Sequence, residues 1–80
     1  MILGNSSIGE EYYDVFYDAR VGIDEILDIP MFAHMNINTS DFLLYKTLTR
    51  INIEAGKQGF NRLSEGEFRG LCDNVYDRYY

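Results

Sequence analysis

The sequence predicts an all-α fold, a small three-helix bundle. Three observations carry that reading. Apolar residues recur at helical spacing in three separate stretches. Two of those stretches open on the Ser-x-x-Glu pattern of a helix N-terminus, "SIGE" at Ser7 and "SEGE" at Ser64. Pro30 and the turn "GKQG" fall between the stretches, where the chain must reverse.

The first helix is expected over residues 8–28. Ser7 can accept from the Glu10 amide while Glu10 reaches back to the Ser7 amide. Tyr12, Val15, Phe16, Ala19, Ile23 and Ile26 then step by 3, 1, 3, 4 and 3, the helical pattern. Gly22 falls near this apolar face, where it allows close helix approach or marks a kink. Pro30 disfavours helical geometry at Ile29, so the helix should stop near Asp28. The connection that follows, "PMFAHMNIN", is unusually apolar. Met31, Phe32 and Met35 should plug the core, or else sit at an interface.

The second helix is expected over residues 39–56, capped by Asn38, with Ile37 and Phe42 as a hydrophobic staple. Leu44, Leu48, Ile51 and Ala55 form one apolar row. Phe42, Tyr45, Thr49 and Ile53 form another, which suggests cover on more than one side. Gly56 is the expected C-cap. An α+β alternative exists if 45–53 is a strand, because "YKTLTRINI" is rich in β-branched residues. Such a strand would have no evident partner. The third helix is expected over residues 65–79, with Ser64 and Glu67 as a capping box and Phe68, Leu71, Cys72, Val75 and Tyr79 as its apolar face. Arg69 and Asp73 are spaced for an i,i+4 pair.

Eighty residues make a single helical domain, 1–80, with a small core and little stability to spare. An apolar content of 46% with 25% charged residues excludes wholesale disorder. Cys72 is the only cysteine, so no internal disulfide and no Cys-rich zinc site can form. No window holds the run of apolar residues a membrane span needs, and the N-terminus does not read as a signal peptide. The expected setting is the cytoplasm, with no membrane partner.

Candidate chemistry is sparse. Cys72 and His34 could act as nucleophile and base only if the fold joined them, and Cys72 lies on an apolar helix face. No glycine-rich phosphate loop is present. Pairs such as Glu10 and Asp14 lack the all-round oxygen cage of a calcium site. We therefore expect no enzyme, no cofactor and no metal. Arg50, Lys57, Arg62 and Arg69 could suit a small DNA-binding regulator. Glu54, Glu65 and Glu67 interleave them, so that reading ranks third.

The charge distribution is the most informative feature. The net charge is −6. Between Glu10 and Asp28 lie seven acids (Glu10, Glu11, Asp14, Asp18, Asp24, Glu25, Asp28) against Arg20, giving 7 − 1 = 6 negative charges. The remaining acids and bases cancel. On one continuous helix, Asp14, Asp18, Glu25 and Asp28 would make a band opposite the core face, with Tyr13 and Tyr17 along its border. Seven acids over roughly 28 Å of helix approach the linear density of a nucleic-acid strand, one phosphate per about 3.4 Å. Interspersed lysines would serve stability better.

In being tiny, acidic, tyrosine-rich and without catalytic groups, the chain is similar in character to small phage-encoded inhibitors such as anti-CRISPR proteins. That likeness implies inhibition of a nucleic-acid-handling protein. The leading expectation is a non-enzymatic binding module that occupies a basic groove of a nucleic-acid-binding protein by mimicry, without binding nucleic acid itself. Its site residues would be Glu10, Asp14, Asp18, Glu25, Asp28, Tyr13 and Tyr17. The alternative is a structural or assembly subunit, a homodimer among its forms, packing through "PMFAHM" and "YDRYY".

Overall fold

The computed structural model of the chain describes residues 9–80, with side chains from Tyr12 onward. Among these residues are four α-helices and no strand: α1 (Gly9–Asp18), α2 (Ile23–Ala33), α3 (Ile37–Gln58) and α4 (Glu65–Tyr79). The all-α class is as expected. The count is not, because the single helix expected over 8–28 is two helices meeting at a corner. The strand alternative for 45–53 also falls, since that segment lies within α3. The Ser7–Glu10 capping box and the side chains of Glu10 and Glu11 lie outside the described residues.

The corner is made by Arg20, whose φ of 60° is left-handed. The Val21 amide donates to the Phe16 carbonyl at 2.9 Å and the Arg20 amide to the Tyr17 carbonyl at 3.0 Å. This is the Schellman closure of a helix, normally built on glycine. An arginine in that role leaves no mark in the sequence. Gly22, two residues later, is instead the extended N-cap of α2 (φ −86°, ψ 164°). Its amide donates to the Glu25 carboxylate at 3.2 Å.

Pro30 does not end α2, which continues to Ala33. A proline inside a helix costs about 3 kcal/mol. Against that, Ile26 and Ile29 are buried, at roughly 1.5–3 kcal/mol each. Packing therefore decides, because α2 lies across both α3 and α4. Met31 and Phe32 are half-buried at the end of α2, whereas Met35 is exposed.

α3 is longer than expected at both ends. Its cap is Asn36, whose side chain accepts from the Asn38 and Thr39 amides at 3.1 and 3.3 Å. It ends not at Gly56 but at Gly59 (φ 80°), where the Phe60 amide donates to the Ala55 carbonyl at 2.8 Å. α4 starts as expected: the Glu67 amide donates to Ser64 Oγ at 3.1 Å and the Ser64 amide to the Glu67 carboxylate at 2.8 Å.

The core gathers Val15 and Phe16 of α1, Ile26 and Ile29 of α2, Leu44, Leu48 and Ile51 of α3, and Phe68 and Cys72 of α4. Phe16 and Phe68 meet edge to face at 6.2 Å. Around this core two arginines and an asparagine fasten the segments together. Arg50 of α3 donates to the Ala19 carbonyl at 3.0 Å, to the Arg20 carbonyl, and to Glu25 at 2.7 Å. Arg69 does not pair with Asp73. It crosses to α3, binding Asp41 at 2.8 Å and Ser40 Oγ at 3.3 Å. Ser40, fully buried, donates in turn to the Ile29 carbonyl at 2.8 Å. Asn52 clips the α3–α4 connection, donating to the Leu63 carbonyl at 3.0 Å and accepting from its amide at 2.8 Å.

A left-handed non-glycine residue costs roughly 1–2 kcal/mol. The Arg20 side chain is exposed, so Arg20→Gly should stabilise the fold by about 1 kcal/mol, less the added freedom of an unfolded glycine. Thermal melts should then rise by about 4–8 °C per kcal/mol. A lower melting temperature would show that the corner is unstrained.

Candidate functional site

The corner sets the geometry of the acid-rich segment. Because the helix breaks at Arg20, Asp14 and Asp18 lie on α1 while Glu25 and Asp28 lie on α2, so the four do not share one continuous helix. The expected members have separate fates. Glu25 is half-buried in the Arg50 contact. Asp18 accepts from Gln58 Nε2 at 2.7 Å, and the same amide donates to Glu54 at 3.0 Å. Asp14 is exposed, as is Asp24, which lies on α2 beside Ile23. Asp28 is half-buried on α2. The Glu10 side chain lies outside the described residues.

Glu25 is therefore part of the framework. Partial burial pushes its carboxyl up. Hydrogen bonds from Arg50 and the Gly22 amide, with the charges of Arg50 and Lys46, outweigh that effect and hold it below the ordinary value of 4.5.

Tyr13 and Tyr17 are brought together on a feature the sequence did not disclose. They form one wall of a groove of about 400 Å³ between α1, α2 and α4. Phe16, Val21 and Ile26 lie at its base. Ile23 flanks it from α2, and Val75, Arg78 and Tyr79 from α4. Tyr17 is 82% exposed and Tyr79 62%. Tyr17 and Val21 also line an adjoining depression with Asp18, Arg20 and Gly22. Ile23 and Tyr79 have core spacing in the sequence. They reach the groove only because the corner turns α2 and because α4 ends there.

Cys72 is fully buried. Burial, with the charge of Asp73, pushes its thiol up to about 12 despite the opposing pull of Arg69. That favours the protonated thiol near neutral pH. His34 is exposed at the end of α2. No cluster of three His, Cys, Asp or Glu side chains among the described residues could hold a metal ion. No helix among them is long and apolar enough to cross a membrane. Of the four basic residues considered for DNA, Arg50 and Arg69 are committed to internal contacts.

Arg50→Ala should cost about 2 kcal/mol, since charge-assisted bonds are worth about 1.5–3 kcal/mol and this pair is partly solvated. Arg50→Lys should recover little, because an ammonium cannot span two carbonyls and a carboxylate. Glu25 is lower in the folded protein than in the unfolded chain. Its contribution is therefore present at neutral pH and lost as the pH falls below about 4.5. Denaturant titrations should show Glu25→Gln less stable at pH 7, with a shallower decline into acid. An identical acid profile would refute the assignment.

Comparison of the chain with protein-family models, with curated proteins and with solved structures finds no match.

Proposed function

We propose that this chain is a non-enzymatic protein-binding module whose contact face is the tyrosine groove of α1, α2 and α4. The observation that carries the reading is a coincidence of place. The exposed tyrosines Tyr13 and Tyr17, within the segment that holds the whole net charge, line an apolar groove that this segment shares with α4. Tyrosine supplies large, stiff contact area with a polar tip, as interface anchors do. Asp18 shares a depression with Tyr17, Asp14 and Asp24 are exposed on α1 and α2, and the three suit a basic partner. The partner class we favour is a nucleic-acid-binding protein whose phosphate-binding groove accepts the acids, which is inhibition by mimicry. Arg20 and Arg78 border the same surface. The attraction is therefore local to the acids, and the tyrosines do the anchoring.

The test separates charge from framework. Asp14→Asn, Asp18→Asn and Asp24→Asn together leave the Arg50–Glu25 contact whole. Tyr13→Ala with Tyr17→Ala removes the anchors. A partner recovered from cell extract with the immobilised protein should release at high salt and be displaced by added duplex DNA. The tyrosine variant should lose at least about tenfold in affinity for that partner, or about 1.4 kcal/mol, and the charge variant a similar factor at low salt. A partner that DNA does not displace, or that binds both variants as well as the parent, would overturn the proposal.

A further inference from the structure

The second apolar row of α3 is not covered by the chain itself. Phe42 is 61% exposed, Tyr45 68% and Ile53 58%, and Thr49 between them is exposed as well. At 100° per residue these four and Gly56 lie within about 40° of a single line along the helix. A side chain added at Gly56 would meet nothing, so the row ends in open space. α1 and α2 pack on the opposite face of α3, through Leu44, Thr47, Leu48, Ile51 and Ala55. The row also stands apart from the tyrosine groove, to which α3 contributes no residue.

We propose that this row is the seam of a parallel, two-fold homodimer, α3 against α3 of a second copy. Phe42, Tyr45, Thr49, Ile53 and Gly56 step by 3, 4, 4 and 3, the three-and-four spacing of seam positions in a paired helix. In a parallel pair, the position before one seam residue faces the partner's position five residues later, which here sets Asp41 against Lys46. The two charges are opposite, so the seam is self-complementary in this orientation. Lys46 is placed for it, with its ammonium 5.7 Å from the Phe42 ring centroid at the edge of the row. Asp41 stays largely exposed even while it binds Arg69, with 61% of its side chain in solvent. Turned antiparallel about Thr49, the helices would instead bring the Lys46 edge of one copy against the same edge of the other. Of the acids that give the net charge, Asp14, Asp18, Asp24, Glu25 and Asp28 are carried by α1 and α2 and not by this row of α3. Thr49 and Gly56 add little apolar area, which makes the dimer a weak one.

Sedimentation equilibrium over a wide concentration range should show a reversible monomer–dimer step and nothing larger. Phe42→Glu should weaken it by more than roughly 100-fold, with the helical circular dichroism unchanged because the side chain is exposed. Phe42→Cys should form an intermolecular disulfide on mild oxidation, since two-fold parallel packing sets each residue against its own copy. Cys72, being buried, does not compete. A monomer at every concentration would overturn the proposal. So would a dimer indifferent to Phe42→Glu, open-ended growth, or a Phe42→Cys chain that cross-links only to a Gly56→Cys chain, the antiparallel signature.

Discussion

The structure depends on one guanidinium. Arg50 projects from the middle of α3 into the corner between α1 and α2, where it meets the backbone carbonyls of Ala19 and Arg20 and the carboxylate of Glu25. Carbonyls at a helix end carry partial negative charge and lack partners of their own. A forked cation satisfies them and fixes the angle at which the next helix departs. Without it the apolar spacing would favour a straight helix, which runs unbroken through the corner. With it, α2 folds back across α3 and α4 and becomes the element that both pack upon. The left-handed Arg20 and the proline within α2 are local costs that this arrangement offsets.

The same corner changes what the acids are. Spread along one helix they would form a uniform strip. Bent, they separate into Glu25, half-buried against Arg50, and exposed ones such as Asp14, Asp24 and Asp18, the last bonded to Gln58 at the surface. The bend also opens a groove at the inside of the angle, floored by core residues and edged by tyrosines. The features best suited to recognition and those that hold the fold thus come from one short segment. A substitution there has to be read for both effects.

The helical class, the α4 boundaries and most of the core were legible because they rest on local rules. Spacing marks the buried face, and Ser64 with Glu67 marks a helix start whatever surrounds it. The corner was not legible, because its stop residue is an arginine in a glycine's conformation and its clamp lies thirty residues away in Arg50. Pro30 was misread for a related reason: its local preference is real, but burial between two helices outweighs it. The second row of α3 showed the opposite limit. Its periodicity was plain, yet periodicity cannot say whether the chain itself supplies the cover. For the groove, Tyr13 and Tyr17 stood out in the sequence by their place beside the acids. Ile23 and Tyr79 could not, since each has the spacing of a core residue until the bend is known.

Cys72 gives the molecule an internal clock. Its thiol sits at the centre of the bundle and is held protonated there. A thiol reagent can reach it only when α4 lifts from its neighbours. When the reagent outpaces reclosing, the rate of that reaction counts how often the bundle opens, and when reclosing is faster it reports the open fraction. Since the chain has no other cysteine, the count is uncontaminated. Loosening the distant Arg50 corner would register in it as a change of tempo at a residue that touches none of the altered atoms.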